Sequence, residues 1–345
     1  MPQADRRTEE HMKAFELGKN TGIDALTMVD RPQPKPSHGR VVVRMHAMSL
    51  NYRDLIIAKS AMGKREKPVI PLSDGAGEVA EIGPGVTRVR VGDRVAPIFT
   101  QSWLGGDVGR GQPTALGGDL DGVLAEFVML DQNGLVHFPD HLSYEEAATL
   151  PCAAVTSWNA LIHVAELKAG DTILVMGTGG VSIFALQFAR MTGARVIATS
   201  RSDAKLKRLR ELGAAEVINY RTTPEWGKRA LELTAHRGVD HIVEVGGAGT
   251  LENSFKAIRL GGSISLVGLL TGFGGQFNPL LVLMKNVRFQ GILVGSRDMF
   301  EAMNRAIAAA QLRPVIDKTF PCSEAPAAYR HLESGAHFGK VCIRI

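Results

Sequence analysis

Cysteine is scarce in this sequence, with three among 345 residues. Cys152, Cys322 and Cys342 lie too far apart to form the disulfide framework of a small secreted domain. Long apolar runs are also lacking, because Gly, Lys or Asn interrupts each apolar stretch well short of a membrane span. The first residues, MPQADRRTEEHMKAF, have no apolar core of the kind that secretory signals carry. We therefore expect a cytoplasmic protein that does not enter a membrane.

Charge of one sign is not concentrated anywhere in the chain. The net charge of +5 comes from 40 Lys and Arg against 35 Asp and Glu, spread along the sequence. A basic stripe with interleaved aromatic residues is missing, which argues against a nucleic-acid partner. The modest positive charge instead favours small anionic ligands such as phosphates.

The length predicts two domains, because 345 residues exceed what one hydrophobic core usually serves. Residues 1–11 are expected to form a polar extension. Residues 12–150 contain short apolar runs between Gly/Pro turns, a pattern typical of an antiparallel or barrel-like β domain. Within them, residues 100–122 form a long glycine-rich loop, and such loops are usually functional or mobile. From about residue 147 helices and strands alternate, which predicts a doubly wound parallel sheet.

The stretch 171–205 reads as a strand, a glycine turn, a helix and a second strand. Such a unit places the pyrophosphate of a dinucleotide on a helix N-terminus, where free backbone N–H groups and the helix dipole favour an anion. Gly177 permits the tight turn, and Gly179 leaves no Cβ between the backbone and the phosphates. Ser182 stands where the third glycine of G-x-G-x-x-G would be, so the flanking strand and helix carry the assignment. The predicted phosphate cradle consists of Gly177, Thr178, Gly179, Gly180 and Val181.

Several strings of the sequence resemble one known family. They are SLNYRDL (49–55), PLSDGAGEVAEIGPGVTRVRVGDRV (71–95), LPCAAVTSWNAL (150–161), VMGTGGVSIFALQFA (175–189), AEVINYR (215–221), ILVGSR (292–297) and FGKVCIRI (338–345). In order and spacing these strings resemble the medium-chain dehydrogenase/reductases, over nearly the whole chain from about residue 12. The resemblance implies an α/β fold made of a GroES-like β-barrel domain and a Rossmann domain with a doubly wound parallel sheet. The expected bounds are 12–153 plus 296–345 for the GroES-like catalytic domain and 154–295 for the Rossmann domain, with the active site in the cleft between them.

The same resemblance bears on metal content. Zinc members of the family bind the catalytic metal through two cysteines and a histidine, and the matching positions here hold Asn51, Ser73 and Cys152. A catalytic zinc needs three protein ligands and an open position. The cysteine quartet of a structural zinc is absent as well, since residues 90–125 contain no cysteine. We therefore expect no zinc, and the sequence resembles the zinc-independent, quinone-oxidoreductase-like branch.

The end of the second strand of the dinucleotide unit predicts which cofactor binds. NAD-preferring sites place an acidic residue about 20 positions after the first glycine. Here Ser200 holds that place and Arg201 follows it. A guanidinium binds phosphate bidentately, so we expect NADP(H) rather than NAD(H). Lys205 and Tyr220 match residues that reach the same phosphate in relatives, although a solvated helix face is an alternative for Lys205.

Further cofactor contacts follow from the resemblance. They are Asn51, Thr156, Gly268, Leu269, Leu293, Val294 and Lys340. Strand ends such as Gly268 and Val294 lie at the carboxyl edge of the sheet, where open α/β folds bind their ligands. For Lys340 the alternative is an ordinary surface position.

The candidate catalytic residues are Asn51, Tyr52 and Asp54. Asn51 is expected to hydrogen-bond the cofactor ribose or the substrate oxygen, and Tyr52 to donate a proton. A structural reading is equally open, in which Tyr52 packs and Asp54 pairs with Arg53 or caps a helix that begins near Leu55. Without a metal, reduction of a conjugated acceptor is favoured, because an enolate is easier to stabilise than an alkoxide.

The sequence therefore predicts an NADPH-dependent reductase of quinones, enones or related carbonyls. Two alternatives stay open: an NAD(P)-dependent alcohol dehydrogenase that works without zinc, and a cofactor-binding protein with little turnover. Residues 59–63 lack the tyrosine that enoyl-thioester reductases of the family carry, which weakens that substrate class. The apolar strand expected over 287–295 predicts a homodimer formed through the edge of the Rossmann sheet. The residues that select the substrate are expected mostly in the 100–122 loop and around Met62.

Overall fold

The computed structural model describes residues 10–18, 22–60, 67–108, 114–272 and 274–345. Most of the predicted extension over 1–11 therefore lies outside the described residues, as do Met62 and part of the 100–122 loop. In the described residues, no helix has the length and apolar character needed to cross a membrane.

The first part of the chain is built from short strands and two helices. They are β1 (His11–Leu17), β2 (Leu26–Pro32), β3 (Arg40–Leu50), α1 (Tyr52–Ala58), β4 (Asp74–Ile82), β5 (Arg94–Pro97), β6 (Phe127–Asp131), β7 (Leu135–His137) and α2 (Tyr144–Ala148). β1 and β2 form a two-stranded antiparallel sheet of their own. β3 is the centre of the larger sheet, because it pairs antiparallel with both β4 and β6. Its run of three buried valines, Val41 to Val43, suits a strand covered on both faces.

The second part alternates strands and helices, as the sequence predicts. The elements are β8 (Thr172–Met176), α4 (Gly180–Met191), β9 (Arg195–Ser200), α5 (Asp203–Glu211), β10 (Glu216–Asn219), α6 (Trp226–Leu233), β11 (Val239–Glu244), α7 (Ala248–Ala257), β12 (Ile258–Leu266), α8 (Leu280–Lys285) and β13 (Arg288–Gly291), with α3 (Val155–Trp158) before them. All six strands are parallel, in the order β10-β9-β8-β11-β12-β13. From β8 the chain first adds strands on one side of the sheet and then, from β11, on the other side. Doubly wound sheets bind their ligands at the carboxyl ends of the strands where this change occurs. The predicted fold class is confirmed.

A continuous helical stretch joins the two parts. α3 is flanked by two π-helical segments, Leu150–Ala154 and Asn159–Val164. This helical stretch has wider turns that its sequence does not signal. Side chains of this stretch share one hydrophobic core with residues of β3, β4, β8 and α4. Such π segments often mark functional sites.

The last segment returns to the first sheet. It consists of α9 (Arg297–Ala310), β14 (Ile316–Pro321), α10 (Ala325–Glu333) and β15 (Lys340–Arg344). β15 pairs antiparallel with β3, with Val341 opposite Leu50, and parallel with β14. This pairing carries Lys340 into the cleft between the two sheets. The precise domain bounds given above stay a prediction.

Candidate active site

The glycine turn after β8 leaves room for a phosphate. Gly177 has φ of 73°, a conformation that glycine adopts without strain, and Gly179 is the N-cap of α4. A Cβ atom at Gly177 or Gly179 would meet no protein atom within 4 Å. The backbone therefore borders open space at the helix N-terminus, which fits the pyrophosphate of a dinucleotide.

The serine in place of the third glycine has a structural explanation. Ser182 is buried, and its hydroxyl donates to the carbonyl oxygen of Met176 at 2.5 Å. This bond ties the first turn of α4 to the end of β8. The predicted neighbours Thr178 and Val181 contribute backbone contacts. The carbonyl of Thr178 accepts from Gly339 at 2.8 Å, and that of Val181 accepts from the Ser157 hydroxyl at 2.8 Å.

The residues expected around a 2′-phosphate lie together at the ends of β9 and β10. Ser200 is buried, whereas the side chain of Arg201 is exposed. The backbone N–H of Tyr220 donates to the carbonyl of Ser200 at 3.2 Å, so Tyr220 borders the same edge with a partly exposed ring. Ser200, Arg201 and Tyr220 thus lie at the edge where the sequence predicts the 2′-phosphate, and the preference for NADP(H) stays a prediction.

Lys205 has a second role that the sequence does not reveal. Its ammonium group donates to the carbonyl oxygens of Gly335 at 2.7 Å and His337 at 2.8 Å. Burial, with the nearby charge of Arg201, lowers the pKa of Lys205. Burial also lowers the pKa of His337 to about 4, with Lys205 adding to the effect, so this histidine is neutral at pH 7. Lys205 therefore fastens the loop before β15, and its contact with a phosphate stays a prediction.

The residues expected at the nicotinamide end come from three elements. Thr156 is buried in α3, Gly268 and Leu269 follow β12, and Leu293 and Val294 follow β13. A Cβ atom at Gly268 would lie 2.6 Å from the carbonyl oxygen of Val245, which follows β11. The close packing of these two segments therefore requires glycine at this position. The side chain of Leu293 is 61% exposed, an apolar surface at the carboxyl edge of the sheet. Gly268, Leu269, Leu293 and Val294 thus follow strands at the carboxyl edge of the sheet, where open α/β folds bind their ligands.

Lys340 lies at the base of the cleft and is not a surface residue. It is 3% exposed, and its ammonium group donates to the carbonyl of Leu50 and to Oδ1 of Asn51, both at 2.6 Å. Its stem passes over Gly180, where a Cβ atom would lie 2.6 Å from the Lys340 Cδ. Gly180 is therefore needed for this lysine. The sequence alone does not connect these positions, because they lie far apart along the chain.

Two buried carboxyl groups accompany the lysine. Asp74 accepts from the Ser73 hydroxyl at 2.7 Å and from the backbone N–H of Cys152 at 3.0 Å. Burial raises the pKa of Asp74, and the charge of Lys340 is the strongest opposing effect. Asp54 is 1% exposed, and burial raises its pKa to about 6. The site thus holds one buried ammonium group and two buried carboxyl groups, and burial raises the pKa of both carboxyls.

Asp54 acts as a helix cap. α1 begins at Tyr52, earlier than the start near Leu55 that the sequence suggested, and the Asp54 carboxylate accepts from the backbone N–H of Asn51 at 2.7 Å. The capping alternative is therefore present in the structure. A catalytic role for Asp54 stays a prediction, and it would act from a buried position.

The neighbours of Asp54 on α1 point in different directions. The Arg53 guanidinium donates to the Leu116 carbonyl at 2.9 Å and lies 4.8 Å from the centre of the Phe99 ring. Its distance to Asp54 Oδ1 is 4.0 Å, so it mainly holds the loop around Leu116. Tyr52 is 49% exposed, and a catalytic role for it stays a prediction.

The three positions that match zinc ligands do not fit the metal. Oδ1 of Asn51 faces the Lys340 ammonium group at 2.6 Å, so a cation there would meet a positive charge. The Ser73 hydroxyl donates to Asp74, and burial raises the pKa of the Cys152 thiol, which disfavours the thiolate that zinc binds. In the part of the chain that the structure describes, no group of three or more His, Cys, Asp or Glu side chains could hold a metal ion.

Comparison with known proteins matches both parts of the chain. Residues 37–140 match the alcohol dehydrogenase GroES-like domain, and residues 180–309 match the zinc-binding dehydrogenase family. A zinc-type alcohol dehydrogenase-like protein of Schizosaccharomyces pombe is 42% identical over 334 residues, which cover 94% of this chain and 96% of the relative. A quinone oxidoreductase of Rattus norvegicus is 27% identical over 342 residues, or 96% of each chain.

Solved structures agree over the same length. An NAD-dependent alcohol dehydrogenase superposes with a TM-score of 0.89 at 33% identity, covering 97% of this chain and 100% of that one. A mycobacterial protein solved with NADPH superposes with a TM-score of 0.82 at 27% identity, again covering 97% and 100%. Relatives of this fold are therefore known with either nicotinamide cofactor.

Proposed function

The chain belongs to the medium-chain dehydrogenase/reductase superfamily of oxidoreductases, and within it we propose a zinc-independent, NADPH-dependent reductase of quinones, enones or related carbonyls. The observation that carries this proposal is the bond from the Lys340 ammonium group to Asn51. Asn51 holds the place of a metal ligand in the zinc members, and here its side-chain oxygen is bound to a buried cation from the chain itself.

The cofactor would lie across the carboxyl edge of the parallel sheet. Gly177 and Gly179 border the space for the pyrophosphate, and Arg201 is the exposed guanidinium that would pair with a 2′-phosphate. When bound, NADPH supplies the hydride. The chain's own residues bind and orient it, with Thr156 and the segment around Val294 at the far end of the site.

On the substrate side, the chain must stabilise negative charge that develops on an oxygen. A buried ammonium group raises the local positive potential at the base of the cleft. Tyr52 is the exposed hydroxyl from which a proton could reach the substrate. This arrangement suits a conjugated acceptor, whose charge is spread over an enolate, more than a simple carbonyl whose alkoxide calls for a Lewis acid.

We also propose a homodimer formed through β13. This strand is the edge of the six-stranded sheet, and nearby side chains leave apolar surface open to solvent: Leu280, Leu283, Met284 and Leu293. Such an edge is a pairing liability unless another chain covers it. Light scattering that gave the mass of a monomer would contradict this. We place the protein in the cytoplasm, as the sequence predicts, with a small-molecule substrate and no nucleic acid.

A substrate panel tests the activity. Quinones, enones and alcohols are each offered with NADPH and NADH, and turnover is followed by nicotinamide absorbance. We expect turnover of quinones or enones with NADPH. Activity confined to alcohols would favour the alternative of an NAD(P)-dependent alcohol dehydrogenase that works without zinc. NADPH binding without any turnover would favour a cofactor-binding protein.

A further inference from the structure

The segment between β13 and α9 contains a backbone conformation that its sequence disfavours. Val294 has φ of 36°, in the left-handed region that β-branched residues rarely adopt. A valine in this conformation persists only where its surroundings hold it. The surroundings include a side-chain bond, because Nδ2 of Asn159 donates to the carbonyl oxygen of Val294 at 2.9 Å.

Asn159 is placed for this one bond. It is the first residue of the second π-helical segment and is 5% exposed. Its Oδ1 has no hydrogen-bond partner among the described residues, although an unpaired buried oxygen destabilises a fold. Gly295, the residue after Val294, packs on the same helical stretch as Asn159, since a Cβ atom on Gly295 would lie 2.6 Å from Val155 Cγ1. Packing alone would be better served by an apolar side chain, so the position of the Val294 carbonyl is what the amide secures.

The strand order shows what this carbonyl borders. The predicted 2′-phosphate contacts lie at the end of β9, the phosphate cradle lies after β8, and β13 is at the other end of the sheet. An extended dinucleotide therefore carries its nicotinamide half toward the segment that contains Val294. Thr156, predicted to meet the nicotinamide, lies three residues before Asn159 on the same helical stretch and so faces the same side.

We infer that Asn159 is a positioning residue, whose bond to Val294 holds the main chain of 293–295 in the strained conformation that the nicotinamide half meets. This inference rests on the proposed cofactor-dependent activity. Asn159 does not itself touch the cofactor. Its loss lets Val294 relax to an ordinary backbone conformation and moves the surface that the cofactor contacts.

The chain offers a matched control. Asn304 in α9 is buried to a similar degree, donates through Nδ2 to the carbonyl of His137 at 2.8 Å, and has an Oδ1 without a partner among the described residues. Asn159→Ala and Asn304→Ala each remove one buried amide-to-carbonyl bond. Similar losses of thermal stability are therefore expected from both, whereas only Asn159 borders the proposed cofactor edge.

The test compares steady-state kinetics of the two variants. Loss of one buried hydrogen bond corresponds to up to about tenfold in binding. We expect Asn159→Ala to raise the KM for NADPH by about that factor with kcat nearly unchanged, and Asn304→Ala to leave the KM near the wild-type value. In a Val294→Gly background the left-handed conformation carries no strain, so Asn159→Ala should have a smaller effect on the KM. An unchanged KM in Asn159→Ala, or an equal rise in Asn304→Ala, overturns the inference while leaving the proposed function intact.

Hydrogen–deuterium exchange of the free protein separates a failure of the inference on Asn159 from a failure of the proposed function. If the wild-type chain neither binds NADPH nor turns over any substrate, the proposed function fails. Whether Asn159 restrains the backbone at Val294 is then tested by the exchange rates of the amides in residues 292–296. Faster exchange in Asn159→Ala than in Asn304→Ala supports this restraint, and equal exchange in the two variants overturns it.

Discussion

The stem of Lys340 lies so close to Gly180 that a Cβ atom on the glycine would stand 2.6 Å from the lysine Cδ. From there the side chain continues to Asn51, where its ammonium group ends at 2.6 Å from Oδ1. One side chain of the last strand thus connects the first turn of α4 with the start of α1. The glycine turn and the cleft are parts of the same structural unit.

Adjacent glycines should therefore respond differently to alanine. Gly180→Ala pushes against Lys340 and Ala153, and such overpacking costs about 1–3 kcal/mol of unfolding free energy. Gly179→Ala has open space and an extended backbone, so its stability should stay within about 1 kcal/mol of the wild type. NADPH binding should be weakened more by Gly179→Ala than by Gly180→Ala, because only the methyl group at position 179 enters the space for the phosphates. Denaturant unfolding and NADPH titration check both. Equal stability losses would contradict the packing role of Gly180.

Removing the buried charge of Lys340 should lower the free energy of unfolding, by an amount that depends on pH. Lys340→Met leaves the Leu50 carbonyl and Oδ1 of Asn51 without their donor and Asp74 without its opposing charge, and each buried acceptor left unpaired costs about 1–3 kcal/mol. Without Lys340 the pKa of Asp74 rises further, so the native state takes up a proton more readily and the deficit shrinks as the pH falls. Urea unfolding at neutral and at acidic pH measures this. Lys340→Arg keeps the charge and should lose less. A deficit that is equal at both pH values would mean that packing, rather than charge, is responsible.

Arg201 should decide between the two cofactors. A hydrogen bond to a charged group contributes about 1.5–3 kcal/mol, so Arg201→Ala should raise the KM for NADPH by at least about tenfold. The KM for NADH should change little, because NADH has no 2′-phosphate. Lys207→Ala is the control, since Lys207 is an exposed cation on the following helix. Equal losses for both cofactors in Arg201→Ala would show that the guanidinium does not contact the 2′-phosphate.

Asp54 should make the protein less stable as the pH rises. Its pKa is raised from 3.8 to about 6 in the folded state, so the folded chain binds the proton more tightly than the unfolded chain. The stability that this provides is present below about pH 4 and is lost as the pH passes 6. Relative to the wild type, Asp54→Asn should therefore gain about 2 kcal/mol between pH 4 and pH 7. Chemical denaturation across this range measures the difference, and a difference that does not vary with pH would contradict it.

Asp240 provides a control of opposite sign. Burial acts to raise the pKa of Asp240, but hydrogen bonds from Arg237, from the backbone N–H of Thr172 and from Arg259 outweigh it and hold that pKa below the usual range. This group stabilises the fold above its unfolded pKa, and the stability is lost in acid. Asp240→Asn should therefore lose most at neutral pH and least in acid.

Local patterns in the sequence predict most of the fold. The run from Thr172 to Met176 followed by Gly177 predicts a strand and a tight turn, because apolar β-branched residues and glycine act through their own backbones. The end of β13 is different. The apolar run continues to Val294, whereas the strand ends at Gly291, and a valine gives no sign that the chain turns there.

The candidate site was only partly predictable, for a physical reason. The phosphate cradle is a local motif, so its residues could be named from the sequence. Lys340, Lys205 and Asn159 act on segments more than a hundred residues away, and no local pattern encodes such contacts. The resemblance to relatives placed Lys340 near the cofactor but not on Asn51. The glycine at 180 is the one sequence signal of that contact, and it reads equally as part of the phosphate turn.

Zinc content measured together with activity tests the central claim most directly. Protein purified without chelators is assayed for NADPH-dependent reduction of an enone or quinone, and the same sample is analysed for metal. We predict turnover in protein without stoichiometric zinc, and no loss of activity after treatment with a chelator. One tightly bound zinc per chain, with activity that the chelator abolishes, would contradict the proposal that Lys340, rather than a metal, binds Asn51.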